Sequence, residues 1–367
     1  MTSALSLALT GDVIPVRRLA HASPEARAHA EPLFEMLRAA DVALGNFEIT
    51  LSQRGTPLEK LLNIRTDAAV AQDLAPMGFD VLNIANNHTV DYGWEGLEDT
   101  KHALLAAGVQ PVGVGATLAE ASTPVQLEVQ GRRVVILGYS CLLPTGMSAS
   151  ERRPGLAPLH VETGYEVDPC YQMEEPGDPS CVRIRTRVRE ADLARAVADV
   201  RRWREHADVL VVTIHWGYGS GEELAEYQQP LAHALIDAGA DLIHGHHPHA
   251  VHAIGHHRGK PILYSLGTFL GQQIFLPASD AVQALWAGMS PDGYLAQVEV
   301  GADGSCALTL TPHTLNAERL PVVATGADFE RIAARLQRLS APHGTEVVVD
   351  GGRLRARPAA APVALTA

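Results

Sequence analysis

Seven of the seventeen histidines crowd into one short stretch: His244, His246, His247, His249, His252, His256 and His257. Imidazole is the commonest transition-metal ligand, so this run offers nitrogen donors for a metal centre. Alone it would read better as a solvated, histidine-rich loop. Four other segments change that balance, because each closes a short apolar run with groups able to bind metal. Leu7-Ala8-Leu9-Thr10 leads into Gly11-Asp12, and Val42-Ala43-Leu44 into Gly45-Asn46-Phe47-Glu48. Val81-Leu82-Asn83-Ile84 leads into Ala85-Asn86-Asn87-His88, and Leu210-Val211-Val212-Thr213-Ile214 into His215-Trp216-Gly217. The fifth is Leu242-Ile243, followed by His244-Gly245-His246-His247-Pro248-His249. Such a set supports a mixed oxygen and nitrogen site with room for two divalent metal ions. Carboxylate and amide oxygens mixed with imidazoles suit Mn, Fe or Zn.

Donors this far apart in the chain meet only if the apolar runs are neighbouring strands. In an open α/β sheet, ligands bind outside the carboxyl ends of the strands. Helical periodicity over 24–40, 67–77, 94–107, 190–206 and 222–238 alternates with the strand-like runs, which indicates an α/β fold. Residues 125–129 and 134–137 read as a β-hairpin, and 294–300 with 306–311 as an antiparallel pair. No linker composition compels a split, so 1–357 is expected to be a single domain. The stretch from about 142 to 180 carries Pro, Gly and acidic residues without periodicity and reads as an insertion serving as a lid. The Ala/Pro-rich residues 358–367 read as a flexible tail.

The 367-residue chain carries 42 Asp and Glu against 29 Lys and Arg, a formal charge of −13. That surplus repels phosphate backbones and anionic lipid, so neither nucleic acid nor membrane is an expected partner. The apolar runs are strand-length, far short of the ~20 residues that cross a bilayer. Residues 4–10 run straight into Gly11-Asp12 without a basic flank or cleavage site, and the expected compartment is the cytoplasm. Cys141, Cys170, Cys181 and Cys306 lack CxxC spacing and are expected as reduced thiols, although Cys170 and Cys181 could pair across a loop. No GxxxxGK[ST] or GxSxG is present, so P-loop and serine-hydrolase chemistry lack support. Nothing in the pattern sets an oligomeric state.

Over roughly residues 5–270 the ordered motifs resemble the CapA, or poly-γ-glutamate capsule synthesis, family, a branch of the calcineurin-like metallophosphoesterase fold. The matching text is Gly11-Asp12-Val13, Asn46-Phe47-Glu48, Ala85-Asn86-Asn87-His88 with Asp91 and Gly93, and His215-Trp216-Gly217. It continues with Asp237-Ala238-Gly239-Ala240-Asp241, then Gly245-His246-His247-Pro248-His249 and Tyr264-Ser265-Leu266-Gly267. The resemblance implies a four-layer αββα sandwich with a two-metal centre. Asp12 and His249 would hold the first metal, Glu48 would bridge, and Asn87, His215 and His247 would hold the second. His88 matches the proton-transfer position, and Asp12 joins it in the expected catalytic pair. The chain departs from the phosphoesterase Asp-x-His, because Ile14 stands where that His would be. The N-terminal anchor typical of capsule-synthesis members is not expected here.

Other histidines carry blander expectations. His244 and His246 are read as structural, and His252, His256 and His257 as surface loop; His313 has no assigned place. Asp91 is expected behind the ligands or as the cap of the 94–107 helix. The alternating arginines 183–189 are read as a charged, solvated edge strand. The family includes peptide epimerases of lasso-peptide maturation. The leading expectation is therefore a metal-dependent epimerase (an isomerase) acting at a Cα of a peptide substrate. A metal-dependent phosphoesterase and an accessory protein of poly-γ-glutamate synthesis are the alternatives.

Overall fold

Leu5–Ile14 is buried at every position but one, the pattern of a strand covered on both faces. In the computed structural model, which describes residues 4–219 and 221–360, this strand lies within a ten-stranded mixed sheet. On one side it pairs in parallel with Val42–Phe47, and then come Val81–Asn83 and Gln110–Val112. On the other it pairs antiparallel with Gly293–Val300, followed by Cys306–Leu315, Arg353–Pro358 and Thr345–Asp350. A second, six-stranded sheet runs Ile254–His257, Lys260–Leu263, Leu242–His246, Val209–His215, Arg132–Ser140 and Val125–Val129.

The two sheets face each other across one apolar layer. Leu5, Leu7, Leu9, Val42 and Leu44 meet Ile136, Val209, Val211 and Leu242 there. The outer face of the larger sheet is covered by the helices Pro24–Ala39 and Gly93–Ala106, through Phe34, Leu37, Leu97 and Leu104. The outer face of the smaller sheet is covered by Glu190–Arg204 and Gln228–Ala238, through Ala196, Val200, Leu231 and Leu235. Helix, sheet, sheet and helix make the four-layer αββα arrangement expected from the resemblance. Pro24–Ala39 begins where local chemistry dictates: the Ser23 side chain accepts from Ala26 N, and Pro24 follows at the first helical position.

Several expected elements differ. The helix expected over 222–238 begins only at Gln228, because the Pro230 ring permits a first turn and would clash with any turn before it. The stretch 142–180 is more ordered than its composition suggested. Gly155–Leu156 pairs with Val114–Gly115, Pro169–Glu174 is helical, and Val161–Val167 pairs antiparallel with Val182–Val188. The arginines therefore sit on a two-stranded ribbon, not on the edge of a main sheet. They meet the chain's own acids: Arg185 contacts Glu166 and Glu226, and Arg187 contacts Glu162. His252 is fully buried and His256 and His257 lie on a strand, correcting their reading as surface loop. Pro358 ends a strand, and Ala359 N bonds Gly344 O, while 361–367 of the expected tail lie outside the described residues. All four cysteines are free.

Candidate metal centre

Parallel strands end on the same side, which brings the five donor segments to one edge of the sandwich. The ladder beside Leu5–Ile14 slips between Leu9 and Asp12, and Asp12 N bonds Gly267 O at 3.1 Å. Asp12 lies fully buried beyond that slip. Asn46 Nδ2 reaches Asp12 Oδ1 at 2.8 Å and Glu48 Oε2 at 3.2 Å. His249 Nδ1 lies 3.0 Å from Asp12 Oδ2, and its Nε2 lies 3.8 Å from Glu48 Oε1. His215 Nε2 is 3.4 Å from Glu48 Oε1 and 2.8 Å from Asn87 Oδ1. The His247 ring stands 4.7 Å from that of His215 and 5.8 Å from that of His249. Asp12, Glu48, Asn87, His215, His247 and His249 thus form one continuous cluster.

Two groups of ligand atoms, each mutually within 4.8 Å, emerge: Asp12 with His215 and His246, and Glu48 with His247 and His249. The sequence motifs mark His246 only as structural, and the structure places it at the centre. Its strand pairs in parallel with Val209–His215, so that His246 stands opposite His215. Only that register reveals it, although its place two residues after His244 put it on the same strand face.

The residues suit cations. Glu48 Oε1 and His247 Nδ1 are buried without a hydrogen-bond partner, an expensive state for polar groups in a protein interior, and Asp12 Oδ2 faces the His249 ring. His247 and His249 adopt φ values of 108° and 53°, a region that side chains other than glycine seldom enter. Strain of this kind concentrates at functional sites. Burial raises the Glu48 carboxyl above its ordinary range; His249 opposes the rise and Asp12 reinforces it. Burial acts on Asp12 in the same sense, but His249, His215 and Asn46 outweigh it and hold that carboxyl low. Burial also keeps His215, His246 and His247 well below the usual imidazole value. His249 rises despite burial, because Glu48 and Asp12 stabilise its proton.

At the rim, His88 is partly exposed and adjoins Asn87 in the chain. Its Nδ1 donates to Asp91 Oδ2 at 2.8 Å, leaving Nε2 for a substrate. Asp91 also accepts from Ile64 N at 2.6 Å and from Lys60 Nζ at 2.5 Å. Its carboxylate therefore supports His88 and does not cap the Gly93–Ala106 helix, whose N-cap, Tyr92, makes no side-chain cap bond. Lys60 escaped notice in the sequence because it sits in a loop without a motif. Ile14 is fully covered, so the first motif supplies no imidazole there. His313 is buried edge-on against Phe269 at 5.4 Å, beside the apolar cluster on the helix-covered side of the larger sheet.

Beside the centre, Cys141, Leu142, Val161, Ile184, Tyr218 and Leu224 line a cavity of about 610 Å³ that reaches Gly217, two residues past His215. The ribbon that supplies Val161 and Ile184 continues outward with Tyr165 and Ile184 exposed. Those two residues are cross-strand partners on the face that carries Val161, with the Thr163–Thr186 pair between them and Val161.

Residues 6–273 match the family described as bacterial capsule synthesis protein PGA_cap. The PGA biosynthesis protein CapA of Bacillus subtilis is 30% identical over 277 residues, covering 73% of this chain and 64% of that protein. The capsule biosynthesis protein CapA of Bacillus anthracis is 26% identical, covering 82% and 65%. A probable polyglutamine synthesis accessory protein of Mycobacterium tuberculosis is 29% identical, covering 84% and 75%. The chain spans less than two thirds of the length of the two Bacillus proteins. Among the described residues, no helix is long and apolar enough to cross a membrane.

Proposed function

This chain belongs to the bacterial capsule synthesis protein (PGA_cap) family, and from that premise we propose that it is a metal-dependent enzyme accessory to poly-γ-glutamate synthesis. The observation that carries the reading is the convergence of the buried Asp12 and Glu48 oxygens on the His215, His247 and His249 rings, with His88 at the rim. Asp12, Glu48, Asn87, His215, His247 and His249 would hold two divalent cations, Mn, Zn or Fe. When bound, these would polarise an amide or carboxylate oxygen of the substrate.

The chain's own groups supply the rest. Asp91 fixes the His88 ring by its Nδ1 bond, so that Nε2 can take or give a proton at the reacting amide. Lys60 balances the Asp91 charge and ties the Asn87 carbonyl at 2.6 Å, which holds the loop bearing both Asn87 and His88. The ribbon and its adjoining cavity would clamp an extended chain across the centre. A cytoplasmic setting belongs to the same proposal; its support is the four unpaired thiols.

A second reading, epimerisation at a Cα of a ribosomal peptide, uses the same carbonyl-polarising centre. It is favoured by the exposed Tyr165 and Ile184 of the ribbon, which suit an apolar peptide better than a polyanion. One experiment separates the two. Metal-loaded protein is incubated in D₂O, in parallel, with poly-γ-glutamate and with peptide. Shortening of the polymer supports the first reading, and Cα deuterium in intact peptide supports the second. Inactivity on both with every metal, while aryl phosphates turn over, would leave phosphoester hydrolysis as the activity.

A further inference from the structure

Thr213 and His215 alternate along one strand, and His244 and His246 alternate along its parallel neighbour. The register sets Thr213 opposite His244 and His215 opposite His246, so all four side chains share the face between the sheets. We propose that a buried relay from the Thr10 carbonyl through His244, Thr213 and His246 fixes the tautomer of His215, presenting its Nε2 lone pair to the metal centre. The inference rests on the reading of His215 as a ligand, and makes Thr213, His244 and His246 positioning residues.

The proton inventory leads to that tautomer step by step. The Thr10 carbonyl oxygen can only accept, so His244 Nε2, 2.8 Å away, carries a hydrogen. A neutral imidazole has one N–H, so His244 Nδ1 is a lone pair and receives the Thr213 hydroxyl hydrogen at 3.0 Å. Having spent its hydrogen, Thr213 Oγ1 accepts from His246 Nε2, also 3.0 Å away. His246 Nδ1 is then a lone pair facing His215 Nδ1 at 2.9 Å. Two lone pairs at that distance repel, so His215 Nδ1 holds the hydrogen and its Nε2 is free. That nitrogen lies 2.8 Å from Asn87 Oδ1 and 3.4 Å from Glu48 Oε1, so these electron-pair donors converge and need a shared cation to relieve their repulsion.

Asn46 closes the inventory independently. Asn83 and Asn86 each give one amide hydrogen to a backbone carbonyl (Ala85 O and Phe47 O) and another to Asn46 Oδ1 at 3.1 Å. That fixes which end of Asn46 is nitrogen. Its two hydrogens go to Asp12 Oδ1 and Glu48 Oε2, leaving none for His215 Nδ1 at 3.3 Å. Among the described residues, no carboxylate comes within ion-pair reach of His246, so nothing stabilises a buried imidazolium in the middle of the relay. A metal-bound histidine oriented through its other ring nitrogen is the usual role of such partners.

The test uses the whole chain labelled with ¹⁵N-histidine, read by long-range ¹H–¹⁵N correlations without metal, and by Zn²⁺ titration against a chromophoric chelator. Wild type should show His215 as the Nδ1–H tautomer, with His244 and His246 as Nε2–H. Thr213→Val should disturb that assignment and weaken Zn²⁺ binding about 10- to 100-fold, and Thr213→Ser should restore both. Finding His215 as Nε2–H in wild type, or unchanged Zn²⁺ affinity in folded Thr213→Val, overturns the proposal. Should wild type bind no Zn²⁺ while its His215 is Nδ1–H and shifts in Thr213→Val, the relay stands and the metal reading falls.

Discussion

Asp91 Oδ2 receives the His88 Nδ1 hydrogen at 2.8 Å, while the opposite oxygen of the same carboxylate meets Lys60. His88 is thus held by a buried carboxylate whose charge is balanced from behind. His88→Ala should cut turnover of the true substrate by about 10²- to 10⁴-fold, the span of general acid–base catalysis. Metal content by elemental analysis should not change, because the ring's hydrogen bond goes to Asp91 and not to a ligand residue. Asp91→Ala should instead cost about 3–5 kcal/mol in urea unfolding, since it strands a largely buried Lys60 ammonium.

Metal should act as a structural ligand as well as a chemical one. Mn²⁺ or Zn²⁺ at 100 times its dissociation constant should add about 2.7 kcal/mol of stability, removed by EDTA. Glu48→Gln should abolish the gain. The carboxylates beside His249 hold its pKa up against burial, which favours its protonated form in metal-free protein. Uptake must expel that proton, and calorimetry in buffers of different ionisation enthalpy should show release, with affinity falling as pH drops. Buffer-independent heats would contradict this.

Acid sensitivity should have an identifiable source at the ribbon's base. Burial would raise Asp192, but Arg195 at 2.5 Å and His160, through its backbone N at 3.0 Å and Nδ1 at 2.6 Å, hold it below the ordinary carboxylate value. A group depressed on folding stabilises above its unfolded pKa, about 3.9, and loses that contribution as pH falls towards its folded value. Asp192→Asn should therefore cost about 1.5–3 kcal/mol at pH 7, and the gap to wild type should narrow below about pH 4. Equal gaps at both pH values would rule this out.

The ribbon should matter for substrate more than for stability. Tyr165→Ser with Ile184→Ser removes exposed apolar surface and should change unfolding free energy by no more than about 0.5 kcal/mol. It should raise KM for a peptide or polymer while leaving kcat on a small substrate unaltered. Unchanged KM would remove the ribbon from the binding path.

Chain order and strand-end chemistry made most of the site legible. Strand ends closing in Asp, Glu, Asn and His gave the donor types, because a parallel sheet must deliver such ends to one edge, and the family resemblance singled out Asp12, Glu48, Asn87, His215, His247 and His249 among them. His246 and Thr213 were hidden because their meaning depends on which strand lies beside which. Lys60 was hidden because loops carry no periodicity. The ribbon was half visible: alternation marked the arginines, but Glu162, Gly164 and Glu166 opposite them gave too weak a strand signal to identify the partner.

Periodicity and motif order were therefore enough for an α/β fold and the ligand types, since both follow from local hydrophobicity and donor chemistry, while the layering of two sheets came from the family resemblance. Which histidine faces which, which nitrogen is free, and where the arginines find their acids were set by register and by sheet-to-sheet contact. Those relations join residues far apart in the chain, such as Thr10 with His244 and Asn46 with Asp12, and no local pattern encodes the distance between them.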